Sequence, residues 1–428
     1  MTTQLRIAET KDRFVSDGRP LFYLADTVWN VFTNAAEEEW EEYLRFRSAQ
    51  GFNAVQISVL PIEHDMSSAA DRIYPFALRA DGSWDFFQPN DVYFEKAARM
   101  TRRAREYGLT PALVLLWASF VPDTWAAGFR PELVMPEDAI EGYVTSVVRA
   151  LGDTDPVYLV SGDTNFPSEA TFRAYRRAME TLKRLRPDAL TTYHPVPSLE
   201  LDASIVNDPL LDFYMYQQGH SPDAPASRSA KYHYGLSVKR PIVNGEPHYE
   251  GIGYFKQYGR FVAADIRRAF WQSVLSGAKA GFTYGAHGVW SWHAAGQPFT
   301  SEDLWGAPCD WRTAMRFQGA QDVAFCKWLF ETYDLFDLEP ANDLLLRHAE
   351  DVALAMTPDR RTAAIYMPHN LGAKIAFDFG GYEFAMIEFG GRNVVRPRPS
   401  VRDGVTEFGV HGYNGDALIV ARRRGGAS

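Results

Sequence analysis

Two carboxylates in this chain directly follow apolar, strand-like runs: Asp163 in "PVYLVSGDTN" and Glu246 in "RPIVNGEPHYEG". An ionised carboxyl in such a place loses hydration, so its neighbours decide whether it holds or releases its proton. Two carboxyls tuned apart can divide acid–base work, one donating a proton and the other staying ionised. That division suits cleavage of a glycosidic bond, whose oxocarbenium-like transition state lies between two carboxyl groups. Each acid also has a plainer reading. Asp163 could cap a helix or turn, and Glu246 could be a solvated loop residue.

The elements around them favour the chemical reading. Strand-like segments alternate with amphipathic helical ones along most of the chain. The strand candidates are "PLFYLADTVW" (20–29), "FNAVQISVLP" (52–61), "LTPALVLLW" (109–117), "PVYLVSGDTN" (156–165), "ALTTYHP" (189–195), "LDFYMYQQGH" (211–220), "RPIVNGEPHY" (240–249) and "AGFTYGAHGVW" (280–290). Between them, the spacing predicts helices over 137–152, 168–187 and 263–277, with a weaker one in "SPDAPASRSAKYHYGL". A helix carrying Trp40, Tyr43, Leu44 and Arg47 has Thr33 or Asn34 as its expected cap and Gly51 as its stop. Another is expected to be capped near Asn90 and ended by Gly108, and loops 61–89 and 118–136 are expected to vary freely. Eight such units imply an α/β fold, a (β/α)8 TIM barrel over residues 1–334. A doubly wound open sheet is disfavoured, because "ADTVW" follows the first strand where a G-x-G-x-x-G turn would stand. Beyond residue 335, short strands punctuated by Gly, Pro and Asn predict a small antiparallel β-sandwich-like domain, 335–428.

A barrel of this kind gathers its site at the C-terminal ends of its strands. Those ends read Asp26 and Trp29; Gln56 and Ser58; Trp117; Asp163 and Asn165; Tyr193 and His194; Tyr216, Gln217 and His220; Glu246, His248 and Tyr249; and Tyr284, His287 and Trp290. Asp163 on the fourth strand and Glu246 on the seventh face each other across the ring. The aromatic side chains can stack on the C–H faces of sugars, and small polar groups can bind hydroxyls. Asp26, Trp29, Trp117, His194, Tyr216, His220, His248, Tyr249, His287 and Trp290 are therefore the expected substrate contacts. Asp26 could equally serve as a structural acceptor. The histidines also suggest zinc, but no H-x-H, H-E-x-x-H or cysteine pair stands at ligand spacing, so no metal or cofactor is expected. A sugar-binding barrel without turnover is the other alternative.

Composition narrows the partners. The net charge of −10 and the lack of a basic patch before the short "ARRRGG" tail disfavour nucleic acid. No stretch is long and apolar enough to span a bilayer, so no membrane partner is expected. The N-terminus has no apolar signal core, and a cytoplasmic location is the expectation. The two cysteines, Cys309 and Cys326, are expected to be reduced. An oligosaccharide is the expected partner, and the oligomeric state stays open.

The segments "FYLADTVWNVF", "GFNAVQISVL", "SGDTN", "TTYHP", "DFYMYQQGH", "VNGEPHYEG" and "GFTYGAHGVW" together resemble the apiosidase-like glycoside hydrolases, most specifically in "NGEPHYEG". The motifs span about residues 10–330. The resemblance implies a (β/α)8 barrel with a C-terminal β-domain whose family label mentions collagen, here expected to pack on the barrel instead. It implies a catalytic Asp at the end of strand four and a catalytic Glu at the end of strand seven, which are Asp163 and Glu246. By analogy with related barrel glycosidases, Asp163 would be the acid/base and Glu246 the nucleophile. A retaining enzyme would follow with the carboxyls ~5–5.5 Å apart and an inverting one at roughly 6.5–9.5 Å, in either case acting on a terminal sugar of plant- or microbe-derived oligosaccharides.

Overall fold

The computed structural model describes residues 4–62, 72–254, 259–349 and 351–424. Its centre is a parallel sheet of Tyr23–Thr27 (β1), Ala54–Ser58 (β2), Thr110–Trp117 (β3), Val157–Gly162 (β4), Thr191–Thr192 (β5), Tyr214–Gln217 (β6), Ile242–Glu246 (β7) and Gly281–Tyr284 (β8). The strand order is β5-β4-β3-β2-β1-β8-β7-β6, so β1 closes onto β8 and the ladder is interrupted between β5 and β6. Hydrogen bonds bridge that interruption, among them Asp212 N to Thr191 O at 3.0 Å and Thr192 Oγ1 to Phe213 O at 2.7 Å. The sheet is a nearly closed TIM barrel. Its strands are buried on both faces, which accounts for their almost unbroken apolar runs.

Seven main helices surround it: Glu37–Gln50 (α1), Asp91–Glu106 (α2), Ile140–Leu151 (α3), Glu169–Leu185 (α4), Ala226–Tyr234 (α5), Ala263–Val274 (α6) and Gln318–Thr332 (α7). Asn90 caps α2 by accepting from Val92 N, and Ser168 caps α4 by accepting from Thr171 N. The expected cap of α1 is displaced. Thr33 and Asn34 fall in a separate turn, Val31–Asn34, and α1 begins where the Glu39 carboxylate accepts from Ala36 N at 3.2 Å. Gly51 stops that helix in the left-handed conformation, φ 93°. Each strand is shorter than the run in which it was expected. The expected loop 61–89 contains a hairpin, Phe76–Leu78 with Trp84–Pro89, and its residues 63–71 lie outside the described ones.

Beyond α7, a six-stranded and a four-stranded antiparallel sheet share a second apolar core that includes Leu354, Ile365, Ile375, Phe408 and Ile419. This β region packs on α6 and α7. Arg267 of α6 grips Asp416 bidentately, Nη2 to Oδ1 at 2.7 Å and Nε to Oδ2 at 2.9 Å, and also pairs with Asp322 of α7. Tyr366 donates to Asp416 Oδ2 at 2.8 Å. Cys309 and Cys326 are free thiols. Among the described residues no helix is long and apolar enough to cross a membrane.

Candidate active site

Asp163 follows the last residue of β4. A Cβ on Gly162 would meet the Trp117 ring at 2.3 Å, so glycine is what lets that indole lie across the strand end. Asp163 itself turns the chain with φ 51°, a left-handed geometry that aspartate tolerates better than most residues. Several partners hold it. Its N–H donates to His194 Nδ1 at 3.3 Å, its carbonyl accepts from Trp125 Nε1 at 2.8 Å, and Oδ1 accepts from Gln217 Nε2. The Gln217 amide also donates to Pro195 O at 3.1 Å, which fixes its direction.

Glu246 ends β7. His220 Nε2 lies 3.1 Å from Oε1, and His194 Nε2 lies 3.3 Å from Oε2. The His194 contact is bent away from ideal hydrogen-bond geometry, so it is the weaker of the two. Burial favours the neutral acid, but the two imidazoles outweigh it and hold the Glu246 carboxyl at about 2, below its usual 4.5. It is therefore a carboxylate at neutral pH. Tyr249 stands beside Glu246 on the cavity wall, and its hydroxyl accepts from Trp29 Nε1 at 3.1 Å. Burial and that negative charge push the phenol well above its usual range, so it stays an O–H donor. A Cβ on Gly285 would meet the Tyr249 ring at 2.1 Å, so this wall too leans on a glycine.

A cavity of about 180 Å³ opens above these two acids. Of the residues expected from the sequence, Trp29, Trp117, Asp163, His220, Glu246, Tyr249 and Trp290 line it. His194 is sealed beneath, with no exposed surface. Four others stand elsewhere, each for a physical reason. Asp26 is sealed in an ion pair with Arg47, 2.6 Å, and accepts from Tyr43 at 2.7 Å, which is its structural-acceptor reading. Tyr216 is stacked on His233. His248 is stacked on Phe261 at 4.0 Å and bonded to Gly219 O at 2.7 Å, so it braces the loop after β6. His287 is held between Gly306 O at 2.8 Å and Trp290 Nε1 at 3.2 Å. Burial keeps His248 at about 3 and His287 at about 4, so both are neutral.

The cavity also contains residues that sequence reasoning did not select, among them Gln217, Ile252 and Trp305. Gln217 stands at the end of β6, and its position alone could have drawn attention to it. Trp305 arrives from the loop after β8, held by a hydrogen bond from Gly253 N to Trp305 O at 2.8 Å, and nothing in its local sequence announces this. Among the described residues no group of three or more His, Cys, Asp or Glu side chains is placed to hold a metal ion.

An eight-stranded parallel barrel with an aromatic-walled cavity over a strand-seven carboxylate has the architecture of a glycoside hydrolase. Solved structures share the fold. One described as a glycoside hydrolase has a TM-score of 0.82 at 18% identity, covering 100% of this chain and 98% of its own. A family 5 glycoside hydrolase from Bacteroides vulgatus has 0.81 at 17%, covering 98% and 93%. A family 5 mannosidase from Rhizomucor miehei has 0.51 at 14%, covering 77% and 98%. The chain belongs to the family described as "Apiosidase-like, catalytic domain", whose sequence profile matches residues 9–337. No curated protein matches the chain by sequence.

Proposed function

We propose that the protein is a retaining glycosidase that removes a terminal sugar from short plant- or microbe-derived oligosaccharides, with Asp163 as acid/base and Glu246 as nucleophile. The observation that carries this reading is the ionised Glu246 at the cavity floor, held by two imidazoles on one side of a ring that has Asp163 on the other. Asp163 would protonate the leaving oxygen while Glu246 attacks the anomeric carbon, forming a glycosyl ester. Asp163 would then take a proton from the water that cleaves it. Gln217 Nε2 donates to the Asp163 carboxyl, and among the described residues no Arg or Lys lines the cavity.

The size of the cavity supports action on one ring at a chain end. Trp29, Trp117, Tyr249, Trp290 and Trp305 supply flat faces for its C–H surfaces. In this reading residues 1–334 form the catalytic domain. Residues 335–428 act as its buttress, as the Arg267–Asp416 clamp supports, and not as a collagen binder. The test is a panel of aryl glycosides and pectic oligosaccharides, with the anomer first released followed by proton NMR. Turnover of one terminal sugar with retained configuration is expected. Binding without turnover across the panel would identify a sugar-binding barrel instead, and an inverted product would remove the nucleophile role from Glu246.

A further inference from the structure

We propose that His194 is a positioning residue that ties the two strand ends together, fixing Asp163 through its backbone and Glu246 through its shielded oxygen. The proposal rests on the reading of Asp163 and Glu246 as the catalytic pair. Its basis is the tautomer that the contacts require. His194 Nδ1 accepts the Asp163 N–H at 3.3 Å, so in the neutral ring the proton must sit on Nε2. That nitrogen lies 3.3 Å from Glu246 Oε2, an oxygen sealed from solvent. One imidazole thus accepts from one residue and stands against the other.

The ring has no freedom to do anything else. It is fully buried, with Trp29 edge-on at 5.7 Å and Trp117 at 6.2 Å. Its backbone is spliced to β4 and the turn after it, with His194 N donating to Ser161 Oγ at 3.0 Å and His194 O accepting from Thr164 N at 3.4 Å. His194 is not among the cavity-lining residues, whereas His220, on the other Glu246 oxygen, is. The two histidines therefore divide the carboxylate: His194 stands on Oε2, and His220, which lines the cavity, stands on Oε1. The spacing of two catalytic carboxyls sets the stereochemical course. Here a single side chain, and not only the barrel behind it, holds that spacing. The bent contact to Oε2 is of the kind that tightens when substrate closes the site.

Glu246 is faced by His194 from β5, His220 from the loop after β6, Tyr249 from the loop after β7 and, across the cavity, Asp163 from β4. Removing His194 takes away one group that favours its ionised form, so its pKa must rise. The test has two readouts. Long-range 1H–15N spectra of the unliganded protein at pH 7, with His194 assigned by its loss in His194→Gln, are expected to show the Nε2–H tautomer. The Nδ1–H tautomer or an imidazolium would overturn the proposal. Kinetics use whichever aryl glycoside the wild type turns over. His194→Leu is expected to lower kcat by roughly 100-fold with KM nearly unchanged, as for a group that acts on the catalytic residues and not on the bound sugar. The acid limb of its kcat/KM profile should move up by about one pH unit. His194→Gln, which keeps a donor near the Nε2 position, should restore that limb while kcat stays reduced, and it decides the matter if His194→Leu does not fold. A raised KM with unchanged kcat, or an acid limb that does not move in either variant, overturns it. Activity surviving in Glu246→Gln would instead sink the catalytic pair, a failure separate from the tautomer result.

Discussion

Glu246 and Glu250 stand four residues apart after the same strand, both are buried, and their proton affinities shift in opposite directions. At Glu250 burial prevails and raises the pKa, although Tyr284 Oη donates at 2.6 Å and Gly319 N at 2.8 Å. Both of those donors reach the same oxygen, Oε2, and Asp322 adds like-charge repulsion. At Glu246 an imidazole faces each oxygen. Burial is common to both residues, so it does not decide the outcome. The kind of partner does: two imidazoles stand against Glu246, whereas Glu250 has neutral donors and Asp322 nearby. One glutamate is kept ready as an anion, while the other pins the start of α7 to β8.

The largest test of that contrast is Glu246→Gln, expected to cut turnover by about three orders of magnitude or more while the fold survives. The same variant has a signature in stability. A carboxyl lowered from 4.5 to about 2 contributes stability that is present above 4.5 and lost as pH falls toward 2. Denaturant titrations should therefore show a wild-type advantage of roughly 3 kcal/mol at neutral pH that fades in acid. A constant difference across pH would contradict the proposed anion. Asp163→Asn comes next, with an expected loss of about 100- to 10,000-fold. Substrates with good leaving groups should suffer least, because they need little protonation, and an equal loss for every leaving group would remove the acid role.

Glu250→Gln should have a much smaller effect, within about tenfold on kcat, if its carboxyl only holds structure. Its pH signature runs the other way. A raised carboxyl contributes stability that is present below its unfolded value and lost as pH rises through its folded one. The glutamine variant should match the wild type best in acid and gain on it as pH rises, which chemical denaturation would detect. A kcat loss comparable to that of Glu246→Gln would erase the distinction between the two sites. The smallest expected effect is that of a chelator. Activity after dialysis against EDTA should be unchanged, and its loss would revive the zinc reading of the strand-end histidines.

Much of this was legible before the structure. The barrel could be read because its strands, covered on both faces, carry long apolar runs, and because Asn90, Ser168 and Gly51 punctuate the helices between them. The cavity could be read in part, since knowing the strand ends is enough to place Trp29, Trp117, Asp163, Glu246 and Tyr249 around one opening. Which way a side chain points from a strand end depends on where the chain turns, and that was not legible. Asp26 turned to Arg47, and His248 and His287 turned to backbone carbonyls. Helix α7 escaped notice for a related reason. It is covered by α6 on one side and by the β region on another, as the Phe325–Phe389 contact shows, so its apolar residues form no single stripe.

The charged residues that join the barrel to the β region have a consequence for modularity. Lys279 is buried at the start of β8, paired with Asp12 at 2.8 Å and Glu339 at 3.3 Å and bonded to Leu338 O at 2.9 Å. Arg267 depends on Asp416 in the same way. Excising the β region would strip one anion from each of these cations, leaving Lys279 with Asp12 alone and Arg267 with Asp322 alone. The barrel is therefore no interchangeable cartridge. Grafting it onto another scaffold, or shortening it to the part that carries the cavity, would require rewriting positions 267 and 279 first.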